Sequence, residues 1–514
     1  MAVIVISEGP VRGAPAAPSL TTRVIPGPPE QFEVSDETGV LAMLTTGART
    51  VLMRGPQRTF TENKRPFTDR FQRTVSGGWG GSPGGGNWSM AGAAGGTFSV
   101  NGTTGIVNVT SINVPMYTSV IDALTDADVR CSVSTTMPSG APTSVGLVLG
   151  YTSATNHYRA VLSIQTDGTL QMSLEKEVDG ATTVLGAPAV LSGTYTTGTV
   201  WGIRAERTGT TIRCRAWRDG DAEPNTWVHT VTDTSLGAGR VGTRTHVAQN
   251  STAAPLSTLW RDFAVVSGRW PNPPVVTHAQ WVRVLPAPFT GDWSPAVAAQ
   301  IAEWADDTRP DVLEYAMNYT TGAPTVTSAA EQGARIQGQA TYGPLQADGS
   351  PQEGGDFHEY MGRPWTFVNG EIAPANDPKW MGSMDCSGYV RMVYGYHLGI
   401  PMVRNTGFTG LTLPRQTKEI GPSGPGVIVA QTTDAPTPLG QLQIGDIPLF
   451  DADSGDPGVI DHDGIYIGVD TGGNHRFVNS RKTPNGVTFA DLGGPSLLNG
   501  TGLYATSLRI IRRF

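Results

Sequence analysis

Met384-Asp-Cys-Ser-Gly-Tyr-Val-Arg-Met-Val-Tyr-Gly-Tyr-His-Leu-Gly399 decides how the C-terminal part of this 514-residue chain is read. Apolar residues at positions 390, 393, 394 and 398 recur with the period of a helix. Gly399 and then Pro401 stop that helix. Asp385, Ser387 and Gly388 form its entrance, so Cys386 sits at or just before the first turn. Backbone N–H groups directed at a sulfur there favour thiolate over thiol, and the expected pKa falls below the ordinary ~8.5. A cysteine so placed is a nucleophile candidate, and Asp385, Ser387 and Gly388 are candidates for touching its substrate. The plainer alternative is a small buried apolar residue at a helix start.

Further along, Leu442-Gln-Ile-Gly-Asp-Ile-Pro-Leu-Phe450 reads as a tight turn into a strand. In Ile460-Asp-His-Asp-Gly-Ile-Tyr-Ile-Gly468 a strand begins at His462, and Arg476-Phe-Val-Asn-Ser480 is another. Antiparallel strands paired beside the Cys386 helix would bring His462 to the sulfur, with Asn479 holding the second ring nitrogen. Nucleophilic acyl transfer needs that order of cysteine, histidine and orienting group. Taken alone, a histidine at a Gly-rich strand start is a solvated residue. His475 competes with Asn479 as the orienter, although its register before Phe477-Val478 fits less well.

In this order, Asp-Cys-Ser-Gly-Tyr-Val, Gly-Asp-Ile-Pro-Leu-Phe and His-Asp-Gly-Ile-Tyr-Ile-Gly resemble the NlpC/P60 family of papain-like cell-wall peptidases, over roughly residues 311–514. The resemblance implies Cys386 as nucleophile, His462 as general base and Asn479 in the third, polar position, where the family often has His. It also implies an upstream tyrosine helping to hold the oxyanion. Tyr342-Gly-Pro is the best match, without the family's Gly pair. The gap from Cys386 to His462 is long for the family, and residues 403–440 read as an insertion that would line or cover the cleft. No cofactor is expected, nor a metal: no HExxH motif and no Cys pair with ligand spacing occurs.

From Phe67 to Gly268 the texture is different. Short apolar or alternating runs such as Val145-Gly-Leu-Val-Leu149, Tyr158-Arg-Ala-Val-Leu162 and Thr211-Ile-Arg-Cys-Arg-Ala-Trp217 are punctuated by Gly, Asp, Asn and Thr. Many such strands without helical period predict a β-sandwich or jelly roll. Phe67-Thr-Asp-Arg-Phe through Trp79-Gly80, Asn156-His-Tyr-Arg159 and Arg215-Ala-Trp217 leading to Trp227 resemble the concanavalin-like (laminin-G-type) sandwiches of actinobacteriophage tail proteins, and glycan binding is what that resemblance implies. Thr50-Val-Leu-Met-Arg54, with a turn expected at Gly55-Pro56, and Gln280-Trp-Val-Arg-Val-Leu-Pro286 share a texture and also look like segments of minor tail proteins.

The expected organisation is multidomain: a β-rich tail-docking segment over 1–66 completed by 269–290, a sandwich inserted over 67–268, and an α+β papain-like peptidase over 291–514. Helices are expected at Ser294–Trp304 and Asp311–Tyr319. With 36 Lys and Arg against 44 Asp and Glu, the chain offers no basic face to nucleic acid. No run approaches the ~18 apolar residues of a membrane span. Val3–Ile6 lacks the flanks of a secretory signal, and three cysteines make no disulfide framework. The function expected is a tail-tip peptidoglycan endopeptidase assembled into a virion in the host cytoplasm. Its partners would be wall stem peptides, wall glycan, other tail proteins and further copies of itself. A receptor-binding tail protein with an inactive peptidase fold is the alternative.

Overall fold

The apolar run at Thr50 does not end at Gly55-Pro56. In the computed structural model, which describes residues 2–6, 20–62, 67–82, 86–270, 272–374, 377–433, 436–491 and 494–514, one strand runs Thr50–Glu62. The expected turn is absent because Pro56 lies where the partner strand Val275–Val284 shifts register, between His278 and Gln280, so no ladder donor is missed. The Pro56 carbonyl instead accepts from Trp281 Nε1 at 3.0 Å. Within the 1–66 segment, residues 7–19 and 63–66 lie outside the described residues.

The chain divides into two units, one of Met1–Glu62, Pro273–Pro344 and Glu353–Phe514, the other of Asn63–Asn272 and Leu345–Gln352. Thr61 pairs with Val275, so the chain leaves and re-enters the first unit at adjacent rungs of one ladder.

In the first unit, the N-terminal antiparallel sheet packs Val34, Leu44, Val51, Met53 and Trp281 with Phe289 and Ile301 in a small cluster of its own, and the far part of its long strand pair joins the C-terminal core. Phe60, Val276 and Val282 pack in the same cluster as Leu313, Tyr389, Phe477 and Ile511. Buried polar contacts fasten the two. Asp311 caps the helix Val312–Met317 by accepting from Glu314 N–H at 3.0 Å, and its carboxylate takes Arg58 at 2.6 and 2.8 Å and Val282 N–H at 2.8 Å. Both members of the Arg58–Asp311 pair are fully buried. The Glu62 carboxylate accepts from Thr488 Oγ1 and Phe489 N–H, and the Phe514 carbonyl accepts from Thr50. The other expected helix forms as Pro295–Trp304, with Ser294 Oγ accepting from Val297 N–H at 3.3 Å.

The second unit is a sandwich of a seven-stranded and a nine-stranded sheet. The inner faces meet in a core that includes Leu147, Leu162 and Leu174 from one sheet and Val129, Ile203 and Trp260 from the other. Cys131 and Cys214 are free thiols inside it. Strands of eight to fourteen residues outrun the apolar runs that announce them. Their outer positions carry paired charges, such as Arg159 with Glu175 and Glu177, and Arg204 with Asp128. No helix among the described residues is long and apolar enough to cross a membrane.

Candidate active site

The entrance of the Cys386–Arg391 helix is built as a capped turn. Asp385 has extended backbone and its carboxylate accepts from Gly388 N–H at 2.8 Å. Position 388 must be glycine because a Cβ there would lie 2.3 Å from the Gly355 carbonyl. Behind Arg391 the helix widens to a π-turn over Met392–His397, and Gly399 ends it with a positive φ of 74°. Of the residues giving the helical period, Val390, Val393 and Tyr394 are fully buried and Leu398 half-buried.

Asp385, Ser387 and Gly388 are candidates for touching substrate, but the Asp385 and Ser387 side chains are buried and already bound, and the Gly388 N–H is taken by Asp385. Arg415, from the 403–440 segment, donates to Asp385 Oδ2 at 2.6 Å and to Ser387 Oγ at 2.7 Å. Asp356, cap of a second short helix, is bound by Arg391 at 2.9 and 3.1 Å. The same 403–440 segment supplies Thr417, whose Oγ1 donates to the Ile460 carbonyl, and the strand Val427–Gln431, which pairs with Leu508–Arg513.

The helix packs against the strands His462–Asp463 and His475–Arg481. The Cys386 Sγ lies 3.8 Å from the carbonyl oxygen of Asp461, next to His462. His462 does not pair with the Asn479 strand in a ladder. Its two-residue strand pairs with Ile447–Phe450, and Ile465–Val469 takes up the pairing with His475–Arg481. Gly464 lies at the join, where a Cβ would sit 2.6 Å from Phe477 and 3.0 Å from the Asn479 Cβ. That close approach sets His462 Nε2 3.1 Å from Asn479 Oδ1. The Asn479 amide in turn donates to Ser496 Oγ and the Thr488 carbonyl, which orients its oxygen toward the ring. His475, the rival, is occupied elsewhere, its Nδ1 2.8 Å from the Tyr466 hydroxyl.

A cleft of about 400 Å³ opens here, its lining including Tyr342, Glu353, Asp461, His462, Lys482 and Tyr504. Tyr504 stacks on the His462 ring with centroids 5.2 Å apart, and Glu353 pairs with Lys482 at 2.7 Å. Tyr342 is nearly buried, and burial together with the neighbouring Cys386, Asp385 and Glu353 keeps its hydroxyl protonated.

The electrostatics correct one expectation. Cys386 is only 3 % exposed. Burial, then Asp463, Asp385 and Glu353, push its thiol well above the ordinary value, and the Ser387 N–H directed at the sulfur only partly opposes them. The helix start alone suggested a lowered value. It misses the desolvation and the two acids, Asp463 and Glu353, that folding brings near. Burial also lowers His462 to about 4, despite the Asn479 hydrogen bond. The resting pair is therefore thiol and neutral imidazole, and a nucleophile forms only as the proton moves between them.

Asp356, Arg391, Arg415, Asp463 and Tyr504 were missed in the sequence. Arg415 sits in an apparent insertion, Asp356 and Tyr504 carry no motif, and only Asp463, an acid inside a buried strand, left a signal. Among the described residues no group of three or more His, Cys, Asp or Glu side chains could hold a metal.

Residues 363–499 match the model of the NlpC/P60 family, and the C-terminal part of the chain carries a domain of that family. No curated protein matches the chain in sequence. Similar solved structures include the carbohydrate-binding module CBM66 from Bacillus subtilis, 13 % identical, covering 34 % of this chain and 92 % of that one at a TM-score of 0.25. The CBM2 module of the Lactobacillus casei BL23 phage J-1 evolved Dit is 10 % identical, covering 40 % and 99 % at 0.30. A Bacillus licheniformis β-glucanase is 11 % identical, covering 39 % and 97 % at 0.29.

Proposed function

We propose that the chain is a cysteine endopeptidase that hydrolyses the stem peptides of peptidoglycan. The observation that carries this reading is the capped helix start that sets Cys386 against the Asp461–His462 backbone, with His462 held by Asn479. In this reading the imidazole takes the Cys386 proton as sulfur attacks the amide carbon. The Ser387 N–H and the Tyr342 hydroxyl hold the oxyanion, and the imidazolium then protonates the leaving amine. Water, deprotonated by the same imidazole, hydrolyses the thioester and frees the thiol. By family resemblance the bond cut is γ-D-Glu–diaminopimelate.

We further propose that it works as a minor tail protein at the tip of a phage tail, opening the wall during infection while the sandwich holds wall glycan. Further copies of itself and other tail proteins would be its partners in the virion. The support is the likeness of Thr50–Arg58, Gln280–Phe289 and the sandwich segments to such proteins. Burial of Cys386 and its raised thiol favour a second reading, a structural receptor-binding protein with an inactive peptidase fold. The test is release of new amino groups from purified actinobacterial peptidoglycan by the full chain. Turnover supports the peptidase; its absence with glycan binding retained supports the second reading.

A further inference from the structure

One acid beside the thiol has no place in the mechanism above. Asp463 follows His462 and lies opposite Leu449 in the sheet. Successive side chains of a strand face opposite ways, so His462 lines the cleft while Asp463 turns to the interior behind the helix start. It is fully buried, and neither carboxyl oxygen has a hydrogen-bond partner.

The surrounding charges are already matched. Asp356 is bound by Arg391, and Asp385 by Arg415, so two guanidiniums stand against two carboxylates. Among the described residues Asp463 has no ion pair and no hydrogen bond on either oxygen, and a buried carboxylate without a partner takes a proton instead. We propose that Asp463 is a tuning residue for Cys386: a buried, unpartnered acid behind the helix start, whose ionisation restrains formation of the thiolate. The proposal rests on the reading of Cys386 as the nucleophile.

The groups facing this pair from the packed elements include Asp385, Arg415, Glu353 with its partner Lys482, Asp461, His462, Arg481, Tyr342 and Tyr504. Burial and Asp385 hold the Asp463 proton on, well above the ordinary carboxylate range, and Arg415 opposes them. Asp463 in turn is the strongest charged influence raising the thiol. Two acids so coupled do not titrate independently: whichever ionises first makes the second harder to ionise. When Asp463 loses its proton to solvent, sulfur is left beside an anion and keeps its own. Free thiolate is thereby suppressed where an isolated cysteine would expose it to oxidants and electrophiles, while transfer to His462 with substrate in place stays available.

The experiment is the pH dependence of iodoacetamide alkylation, read by mass spectrometry at the Cys386 peptide of the full chain. Wild type should climb with pH, then flatten as Asp463 ionises. Asp463→Asn, neutral throughout, should climb without the break and react about tenfold faster at the alkaline end, the effect of one pK unit of coupling. Asp463→Val serves as a second variant, with the same expectation, if the amide disturbs folding. In wild type itself, the infrared band of a protonated carboxylic acid should fade across the pH range of the break. Superimposable curves, or a wild-type curve with no break, overturn the proposal. Wall hydrolysis does not enter this readout, so an inactive enzyme with the predicted curves sinks the peptidase reading and not this one.

Discussion

The N-terminal sheet and the sandwich are both antiparallel β structure, and they bury their apolar faces differently. The sandwich closes its own core between two sheets, whereas the N-terminal sheet divides its buried residues between a small cluster with Phe289 and Ile301 and the C-terminal core. The long strand Thr50–Glu62 and its partner Val275–Val284 put Phe60, Val276 and Val282 into the core that also holds the Cys386 helix, and they seal the contact with fully buried charge. A region that completes another's core is part of that fold, whatever its distance in sequence. A region with a complete core of its own can be inserted or removed. The core around the Cys386 helix therefore extends into the N-terminal sheet, and a fragment starting near residue 290 would lack part of its own interior.

The largest effect expected from this contrast falls on Asp311. Asp311→Ala leaves Arg58 buried without its counter-ion, which should cost about 3–5 kcal/mol. In urea unfolding followed separately by sandwich and peptidase probes, only the peptidase transition should move. A shift below about 1 kcal/mol would mean that the sheet is merely adjacent to that core.

The contrast can be sharpened at the site the shared core supports. His462 must be neutral to act as base, and its protonated form is disfavoured down to about pH 4. The acid limb of kcat/KM should then lie near pH 4, well below the ordinary histidine range, because that limb reports the free enzyme's base. His462→Ala should cost about 10²- to 10⁴-fold. Asn479→Ala removes from the ring one neutral hydrogen bond and should cost only about 3- to 10-fold in turnover. A limb near 6.5, or Asn479→Ala as damaging as His462→Ala, would contradict this electrostatic account.

The smallest effect is expected from the largest deletion. Joining residue 66 to 269, removing 67–268, should leave the Cys386 alkylation rate and peptidase stability within a fewfold of the full chain, since Thr61 and Val275 are already paired across the gap. The loop Leu345–Gln352, which groups with the sandwich, is the part expected to loosen. Loss of soluble protein would put the insertion boundary in the wrong place.

Local signals explain what the sequence revealed. The helix at Cys386 and the helix after Ser294 were legible because period, cap and stop all lie within a few residues of each other. The sandwich was legible from its alternating runs, though not the full lengths of its strands, whose outer faces are stabilised by cross-strand ion pairs rather than apolar residues. Gly55-Pro56 misled because a proline opposite a register shift costs a strand nothing. At the site, Asn479 was within reach of motif order. The charge balance of Asp356, Arg391, Arg415 and Asp385 was not, since it depends on side chains from three separate segments. The thiol's pKa was misjudged for the same reason: a helix start is local, whereas desolvation and Asp463 arise only from the folded chain.

The central claim is that Cys386 attacks a wall peptide from a fold whose core Phe60, Val276 and Val282 of the N-terminal sheet help to fill. Its most direct test is amine release from purified peptidoglycan by the full chain and by Cys386→Ala, which removes one sulfur from an otherwise intact capped helix. The account predicts turnover by the wild type, none by a variant whose urea unfolding is unchanged, and a thioester-linked peptide trapped on Cys386 by rapid acid quench. Hydrolysis by Cys386→Ala within a fewfold of wild type would contradict it.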